Sequence, residues 1–250
     1  MKKIAVIPAR FAATRFPGKL MEKIGGKTII RMVYENAVST QLFDRVLVVT
    51  DSEVIFNEIK TNGGEAAMSK REHQSGSDRI AEAIEQLDVD VIINIQGDEP
   101  FIKKEPLQHL LECFNDPSVQ VASLMKKFDP QEEVGNPNWV KVVFNLKKDA
   151  LYFSRSIIPF KRNLSSPKAI YKHIGVYGFR KNTLLSFTKW PLGELEQTEM
   201  LEQLRYLENG VNIRMVETTE TSLGIDTPED LEAAKKFYQS TLFNSHESTL

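Results

Sequence analysis

The sequence predicts an α/β protein: a mostly parallel central sheet with helices on both faces, carrying an antiparallel β insertion in its later half. Three observations predict it. Short runs rich in Val and Ile, at residues 4–7, 46–49 and 89–95, alternate with stretches of helical spacing, the rhythm of strand–helix–strand units. Each run ends in a polar or glycine-containing loop: Pro8-Ala9-Arg10, Thr50-Asp51 and Gln96-Gly97-Asp98. Beyond residue 130 or so that rhythm gives way to strands joined by short turns.

In chain order, the first apolar run is stopped by Pro8, and a helical pattern follows at about residues 29–38. Residues 45–50 read as a buried strand. A helix over 52–61 has Ser52 or Asp51 as its cap, and Gly63-Gly64 ends it before a short strand at 65–68. Residues 77–87 return to helical spacing, with Ile80, Ala83, Ile84 and Leu87 on one face and Ser77 as a possible cap. The strand at 89–95 is followed by a helix over 105–114 and a strand over 119–125. Strands at 139–146 and 150–154, joined by Lys147-Lys148-Asp149, read as an antiparallel hairpin. A polar loop at 163–168 leads to a strand over 170–179. Helices over 181–187 and 194–208 follow, the second stopped by Gly210, then a strand over 211–216. Thr227-Pro228-Glu229-Asp230 opens the last helix, with Thr227 or Asp226 as cap. The division that results is one domain over 1–239, with an elaboration at about 130–215, and a polar tail over 240–250.

Composition narrows the function classes. At 41% hydrophobic and 26% charged, the chain is an ordinary globular sequence. A net charge of -2 gives no electrostatic reason for general nucleic-acid or membrane binding. No stretch is long and apolar enough to span a bilayer, and the single Cys113 precludes an intrachain disulfide, so the reading is cytoplasmic. Cys113 falls in the apolar phase of the helix over 105–114 and reads as a buried structural thiol. Gly25-Gly26-Lys27-Thr28 resembles the end of a P-loop, but Met21 stands where that pattern needs glycine. No Gly-x-Gly-x-x-Gly fingerprint occurs either.

Chemistry concentrates at the ends of the strands. The loop after the first strand carries Arg10, Arg15 and Lys19 among small residues, which suits a polyphosphate: arginine grips two oxygens at a time and lysine adds a mobile charge. Asp98, after the flexible Gly97, is placed to hold Mg²⁺ beside those phosphates, and Asp226 after Gly224-Ile225 is the candidate second carboxylate. Taken alone, Asp226 before Thr227-Pro228 is a helix cap; with Asp98 and the basic loop it reads as a metal ligand. Ser75 to Ser77 could contact a base or ribose. Arg155 ends a strand and could pair with a carboxylate, and His173 and Tyr177, four apart on a strand, share a face. Glu199, Glu202 and Gln203 fall within one turn on one helix face. Together they suit a small, hydroxyl-rich, acidic molecule.

The segments IPARFAATRFPGK, HQSGSDR, NIQGDEP, NPNWVKVV, YFSRSIIP, KHIGVYGF, EMLEQLR and GIDTPEDLE occur in one order from about residue 3 to 235. In this the chain closely resembles the 3-deoxy-manno-octulosonate (Kdo) cytidylyltransferases, the CMP-Kdo synthetases. The resemblance implies a nucleotide-diphospho-sugar transferase-like, Rossmann-like fold whose antiparallel insertion serves sugar binding and dimerisation. It implies that CTP and Kdo give CMP-Kdo and pyrophosphate for lipopolysaccharide biosynthesis, with Mg²⁺ as cofactor and a homodimer as the working form. By the same resemblance, Pro8, Ala9, Arg10, Arg15, Lys19, Arg71, Gln74, Ser75, Gly76 and Asp98 bind CTP. Arg10, Lys19, Asp98 and Asp226 are catalytic, the two aspartates holding the metal. Gln96, Arg155, His173, Tyr177, Glu202 and Gln203 face the sugar. Phe11-Ala12-Ala13-Thr14 departs from the Tyr and Ser usual in that loop but leaves its cations in place, and the loop over 161–168 is short. Because that loop lies near the expected sugar site, an 8-amino-Kdo stands as an alternative substrate, with a sialic acid or a non-catalytic CTP sensor behind it.

Overall fold

The computed structural model describes residues 1–12, 16–73, 75–163, 169–220 and 223–247. Along the chain run β1 (Lys3–Ala9), β2 (Lys23–Ile24), β3 (Lys27–Thr28), α1 (Ile29–Ser39), β4 (Arg45–Thr50), α2 (Glu53–Thr61) and β5 (Ala66–Met68). Next come α3 (Gly76–Ile84), β6 (Val91–Asn94), α4 (Lys104–Glu112), β7 (Val121–Lys127), β8 (Lys141–Phe144), β9 (Ala150–Ser154) and β10 (Tyr171–Arg180). The chain ends with α5 (Lys181–Phe187), α6 (Glu194–Glu199), α7 (Leu204–Glu208), β11 (Ile213–Glu217) and α8 (Pro228–Glu247). These elements gather into two compact units. An amino-terminal unit comprises Lys2–Asp88, Asn94–Lys104 and Thr221–Leu250; a central unit comprises Met1, Val89–Ile93 and Glu105–Glu220. The elaboration expected at about 130–215 lies within the central unit.

In the amino-terminal unit, β1 runs parallel to β4 from Ile4 opposite Arg45 to Ala9 opposite Thr50, and β4 runs parallel to β5. Ile4, Ala5, Val6 and Ile7, like Val46 to Val49, are buried, as strands covered on both faces must be. Each large aliphatic side chain so buried contributes about 1.5–3 kcal/mol. Thr28 caps α1 through Arg31 N–H and Ser52 caps α2 through Ile55 N–H, so the helices begin where the strands release the chain. Gly25 and Gly26, at φ of 57° and 86°, form the turn between the antiparallel β2 and β3. The P-loop look-alike is therefore a hairpin.

In the central unit β7 is flanked by β11, parallel, and β10, antiparallel; β10 pairs in turn with β8, and β8 with β9, both antiparallel. Parallel pairs together with an antiparallel segment are the mixed α/β arrangement that the sequence predicts. Phe179, Tyr206 and Phe187 stack in series, with Trp190 edge-on to Phe187 and Tyr206, and they fasten α5 and α7 to β10.

Three local expectations need correction. The helix expected over 194–208 is two helices, broken where Met200 takes a left-handed φ of 53°. Glu199, Glu202 and Gln203 therefore do not share one helix face. Arg155 explains the break, since it draws the carbonyls of Glu199 and Met200 out of the helical ladder at 2.8 and 3.2 Å. Helix α3 begins at Gly76 and is capped by Ser75, whose Oγ accepts from Asp78 N–H at 3.1 Å, so Ser77 is free to be buried. Cys113 lies half-buried in a 3₁₀ turn (Cys113–Asn115) that follows α4 rather than in the helix interior. No helix among the described residues is long and apolar enough to cross a membrane.

Candidate active site

In the amino-terminal unit, three chain segments meet at the carboxyl end of β1. Pro8 and Ala9 close the strand, and Arg10 is exposed just beyond it. Gly18 N–H donates to Phe11 O at 2.9 Å to close the loop, with Gly18 at φ 72°, a conformation that favours glycine. Lys19 then begins a 3₁₀ turn and is 8% exposed. Its Nζ donates to Asp98 Oδ2 at 2.6 Å and to Asp226 Oδ1 at 2.9 Å. Burial alone would lower the Lys19 ammonium, but the charge of Asp98 and the hydrogen bonds to both carboxylates outweigh it and raise it.

Backbone contacts bring the two aspartates together. Gly97 passes so close to β1 that a Cβ there would lie 3.2 Å from Pro8 O, and Ile225 N–H donates to Asp98 O at 3.0 Å. The cap of α8 belongs to Thr227, whose Oγ1 accepts from Asp230 N–H at 3.2 Å, while Asp230 Oδ2 accepts from Asp226 N–H and Thr227 N–H. The reciprocal cap is thus made by Thr227 and Asp230, while the Asp226 carboxylate meets Lys19. Among the described residues no cluster of three or more His, Cys, Asp or Glu is arranged to hold a metal. Two carboxylates gathered on one ammonium are nonetheless a donor set that fits Mg²⁺, which takes one or two carboxylates and keeps several waters.

Of the expected cytidine residues, Ser75 and Gly76 start α3 in the same unit. A Cβ on Gly76 would sit 3.4 Å from Pro8, so the start of α3 abuts the end of β1. Arg71 is exposed, its Nε 3.6 Å from Glu82 Oε1. Arg15 and Gln74 lie outside the described residues. Sequence reasoning missed what holds the segment. Glu82 Oε2 accepts from Lys70 N–H at 3.0 Å and meets His73 Nε2 at 3.0 Å. Burial alone would raise the Glu82 carboxyl, but these bonds and the nearby cations bring it below the usual range. Arg79, 1% exposed, donates to Ser69 Oγ at 3.0 Å and Asp51 Oδ2 at 2.6 Å. A signal existed: Arg79 falls among the buried positions Ser77, Ile80, Ala81 and Ile84, and a cation on such a stripe requires an anion. Gln96, half-buried, precedes Gly97 in this unit.

The central unit gathers the remaining candidates. His173 and Tyr177 of β10 pack with ring centroids 5.2 Å apart, and Phe153 lies edge-on to His173 at 5.1 Å. Loss of solvent pushes the His173 imidazole down to about 3. Burial, with the Glu202 charge adding, pushes the Tyr177 phenol well up, and the same two causes raise Tyr206. The Glu202 charge thus acts on both phenols, and Gln203 is buried next to it in sequence at the start of α7. Arg155 directly follows β9, where its Nε donates to Glu199 O, Nη1 to Pro137 O at 3.0 Å and Nη2 to Met200 O. A guanidinium has five N–H donors, so among the described residues one on each Nη is left over. Glu199 anchors the same corner, accepting from Ser154 Oγ at 2.6 Å and Arg155 N–H at 3.0 Å.

Residues 4–213 match the protein family described as cytidylyltransferase. The chain is 57% identical over 238 residues to the 3-deoxy-manno-octulosonate cytidylyltransferase of Flavobacterium johnsoniae, covering 94% of this chain and 98% of that one. It is 52% identical to the protein of that name from Christiangramia forsetii, covering 93% and 95% respectively. Among solved structures, a CMP:2-keto-3-deoxy-manno-octonic acid synthetase complexed with CTP superposes with a TM-score of 0.92 at 38% identity, covering 96% of this chain and all 100% of that one. The chain has their fold, nucleotide-diphospho-sugar transferase-like, and it belongs to the 3-deoxy-manno-octulosonate cytidylyltransferase family.

Proposed function

We propose that the chain transfers CMP from CTP to the acidic eight-carbon sugar Kdo, giving CMP-Kdo and pyrophosphate that serve lipopolysaccharide biosynthesis. The observation that carries this reading is the convergence of Lys19, Asp98 and Asp226 at the end of β1, in a chain whose relatives bear that name. In the reaction, the sugar's C2 hydroxyl attacks the α-phosphorus of CTP. A C2–O–P bond forms, the bond to pyrophosphate breaks, and the hydroxyl proton passes to water. Arg10, Arg15 and Lys19 bind the triphosphate, with Pro8 and Ala9 offering backbone at the loop mouth. Arg71, Gln74, Ser75 and Gly76 lie along the cytidine. Mg²⁺, when held by Asp98 and Asp226, polarises phosphate oxygens and offsets their charge. Positioning is the larger part of the protein's own contribution.

The family resemblance assigns the sugar to Arg155, His173, Tyr177, Glu202 and Gln203 of the central unit, and it assigns Gln96 to the sugar as well. The two N–H donors left on the Arg155 fork suit its carboxylate, and Glu202, Gln203, Tyr177 and His173 suit its hydroxyls. We propose as well that the enzyme works in the cytoplasm as a homodimer. Leu146, Leu151, Ile157 and Phe160 expose large apolar side chains on the central unit, and a second copy is the partner the family resemblance implies.

The experiment is pyrophosphate release from CTP and Mg²⁺ with Kdo, 8-amino-Kdo and a sialic acid in parallel. Turnover with Kdo is the expected result. Preference for the amino sugar would move the substrate while keeping the chemistry, and CTP binding without release with any sugar would overturn the reading.

A further inference from the structure

Strand β10 bulges where it passes Ser123 of β7. Ile174 is opposite Leu124 and Tyr177 opposite Ser123, so Gly175 and Val176 are two residues with no counterpart on β7. Ser123, completely buried, points its hydroxyl at this irregularity. Its Oγ lies 2.9 Å from Val176 O, 3.2 Å from Ile174 O and 2.9 Å from His173 Nε2.

Hydrogen-bond arithmetic decides where the protons are. A serine hydroxyl has one proton and two lone pairs, and a carbonyl oxygen only accepts. With two carbonyls in reach, the Ser123 proton belongs to one of them. His173 Nε2 must then donate to Oγ. In the alternative, the serine proton would go to a bare Nε2, and the Oγ lone pairs would face two carbonyl oxygens at 2.9 and 3.2 Å with no proton on either line. In a buried site that arrangement is costly. A neutral imidazole that carries its proton on Nε2 presents Nδ1 as an acceptor. Phe153 and Tyr177, packed against the ring at 5.1 and 5.2 Å, limit its rotation.

We propose that Ser123 is a positioning residue that fixes His173 in its Nε2–H tautomer, so that Nδ1 accepts a hydrogen bond from a hydroxyl of the bound acidic sugar. The proposal rests on the sugar-site reading given above. It adds a sign to that site: at this position the ligand must donate, and a ligand that can only accept there is refused.

The test is a long-range ¹H–¹⁵N correlation spectrum of the labelled full chain at neutral pH, which distinguishes protonated from bare imidazole nitrogens. The chain has four histidines, and the His173 signal is identified by its loss in His173→Asn. The expected wild-type result is a single tautomer with Nε2 protonated; an Nδ1–H tautomer or an averaged mixture overturns the proposal without recourse to any Ser123 variant. In Ser123→Ala the tautomer averages, and the apparent KM for Kdo rises about tenfold, the worth of one hydrogen bond, with KM for CTP unchanged. Ser123→Thr, which keeps the hydroxyl, restores both readouts. Retention of a pure Nε2–H tautomer in Ser123→Ala would show that something other than Ser123 fixes it. Adding Kdo to the wild type must shift the Nδ1 resonance. An unmoved Nδ1 beside a correct tautomer counts against the sugar-site reading, whereas a wrong tautomer leaves that reading standing and overturns this one.

Discussion

Asp98 and Asp226 share a single ammonium, that of Lys19, at 2.6 and 2.9 Å. Two carboxylates drawn this close repel each other unless a cation lies between their charges. Lys19 supplies that charge from within the chain. Lys19→Met therefore leaves two carboxylates without their partner and costs about 1–3 kcal/mol of stability in chelator. Magnesium restores more melting temperature to this variant than it adds to the wild type, because a divalent ion then meets two carboxylates that Lys19 no longer neutralises. Thermal melts with EDTA and with Mg²⁺ check this, and equal Mg²⁺ shifts in both proteins would refute it.

Asp98→Asn keeps the shape of the side chain and removes its charge. With Lys19 still facing Asp226, the melting temperature changes little. Turnover at saturating Mg²⁺ falls by about 100-fold or more, the scale set by losing one group that stabilises developing charge. Near-normal turnover would remove Asp98 from the metal site.

What could be read from the sequence, and what could not, divides by distance along the chain. The strands were legible because apolar runs such as Ile4 to Ile7 declare themselves within a few residues. Asp98 and Asp226 stood out because each follows a glycine-bearing turn at the edge of an element. The break between α6 and α7 was illegible. Met200 is neither glycine nor proline, and what bends the chain there is Arg155, 45 residues earlier. In the same way, Ser123 is an ordinary strand serine until β10 brings His173 to it, 50 residues on.

Glu82 organises the loop expected to meet cytidine, accepting from Lys70 N–H and meeting His73 Nε2 at the same oxygen. Glu82→Gln keeps the volume but weakens both bonds, so KM for CTP rises about tenfold while kcat and KM for the sugar hold. A pH effect accompanies it. The folded Glu82 carboxyl lies below its usual range, so its contribution to stability is complete above that range and is lost as the pH falls through the folded value. The acid limb of the stability curve is accordingly shallower in Glu82→Gln. An unchanged KM for CTP with an unchanged acid limb would reduce Glu82 to a surface acid.

Arg155 holds backbone, and two variants separate that role from the proposed one at the sugar. Three of its N–H groups hold the backbone of Pro137, Glu199 and Met200, and two are left to meet a carboxylate. Arg155→Ala loses both, and stability falls by about 2–3 kcal/mol as three carbonyls lose a charged donor. Arg155→Lys keeps the positive charge but cannot span three carbonyls and a carboxylate with one ammonium. If the outer N–H pair meets the sugar, both variants raise KM for Kdo well beyond any change for CTP, and the lysine variant recovers part of the affinity without recovering the stability. Equal losses for sugar and nucleotide, tracking stability alone, would leave Arg155 as a backbone clamp and take it out of the sugar site.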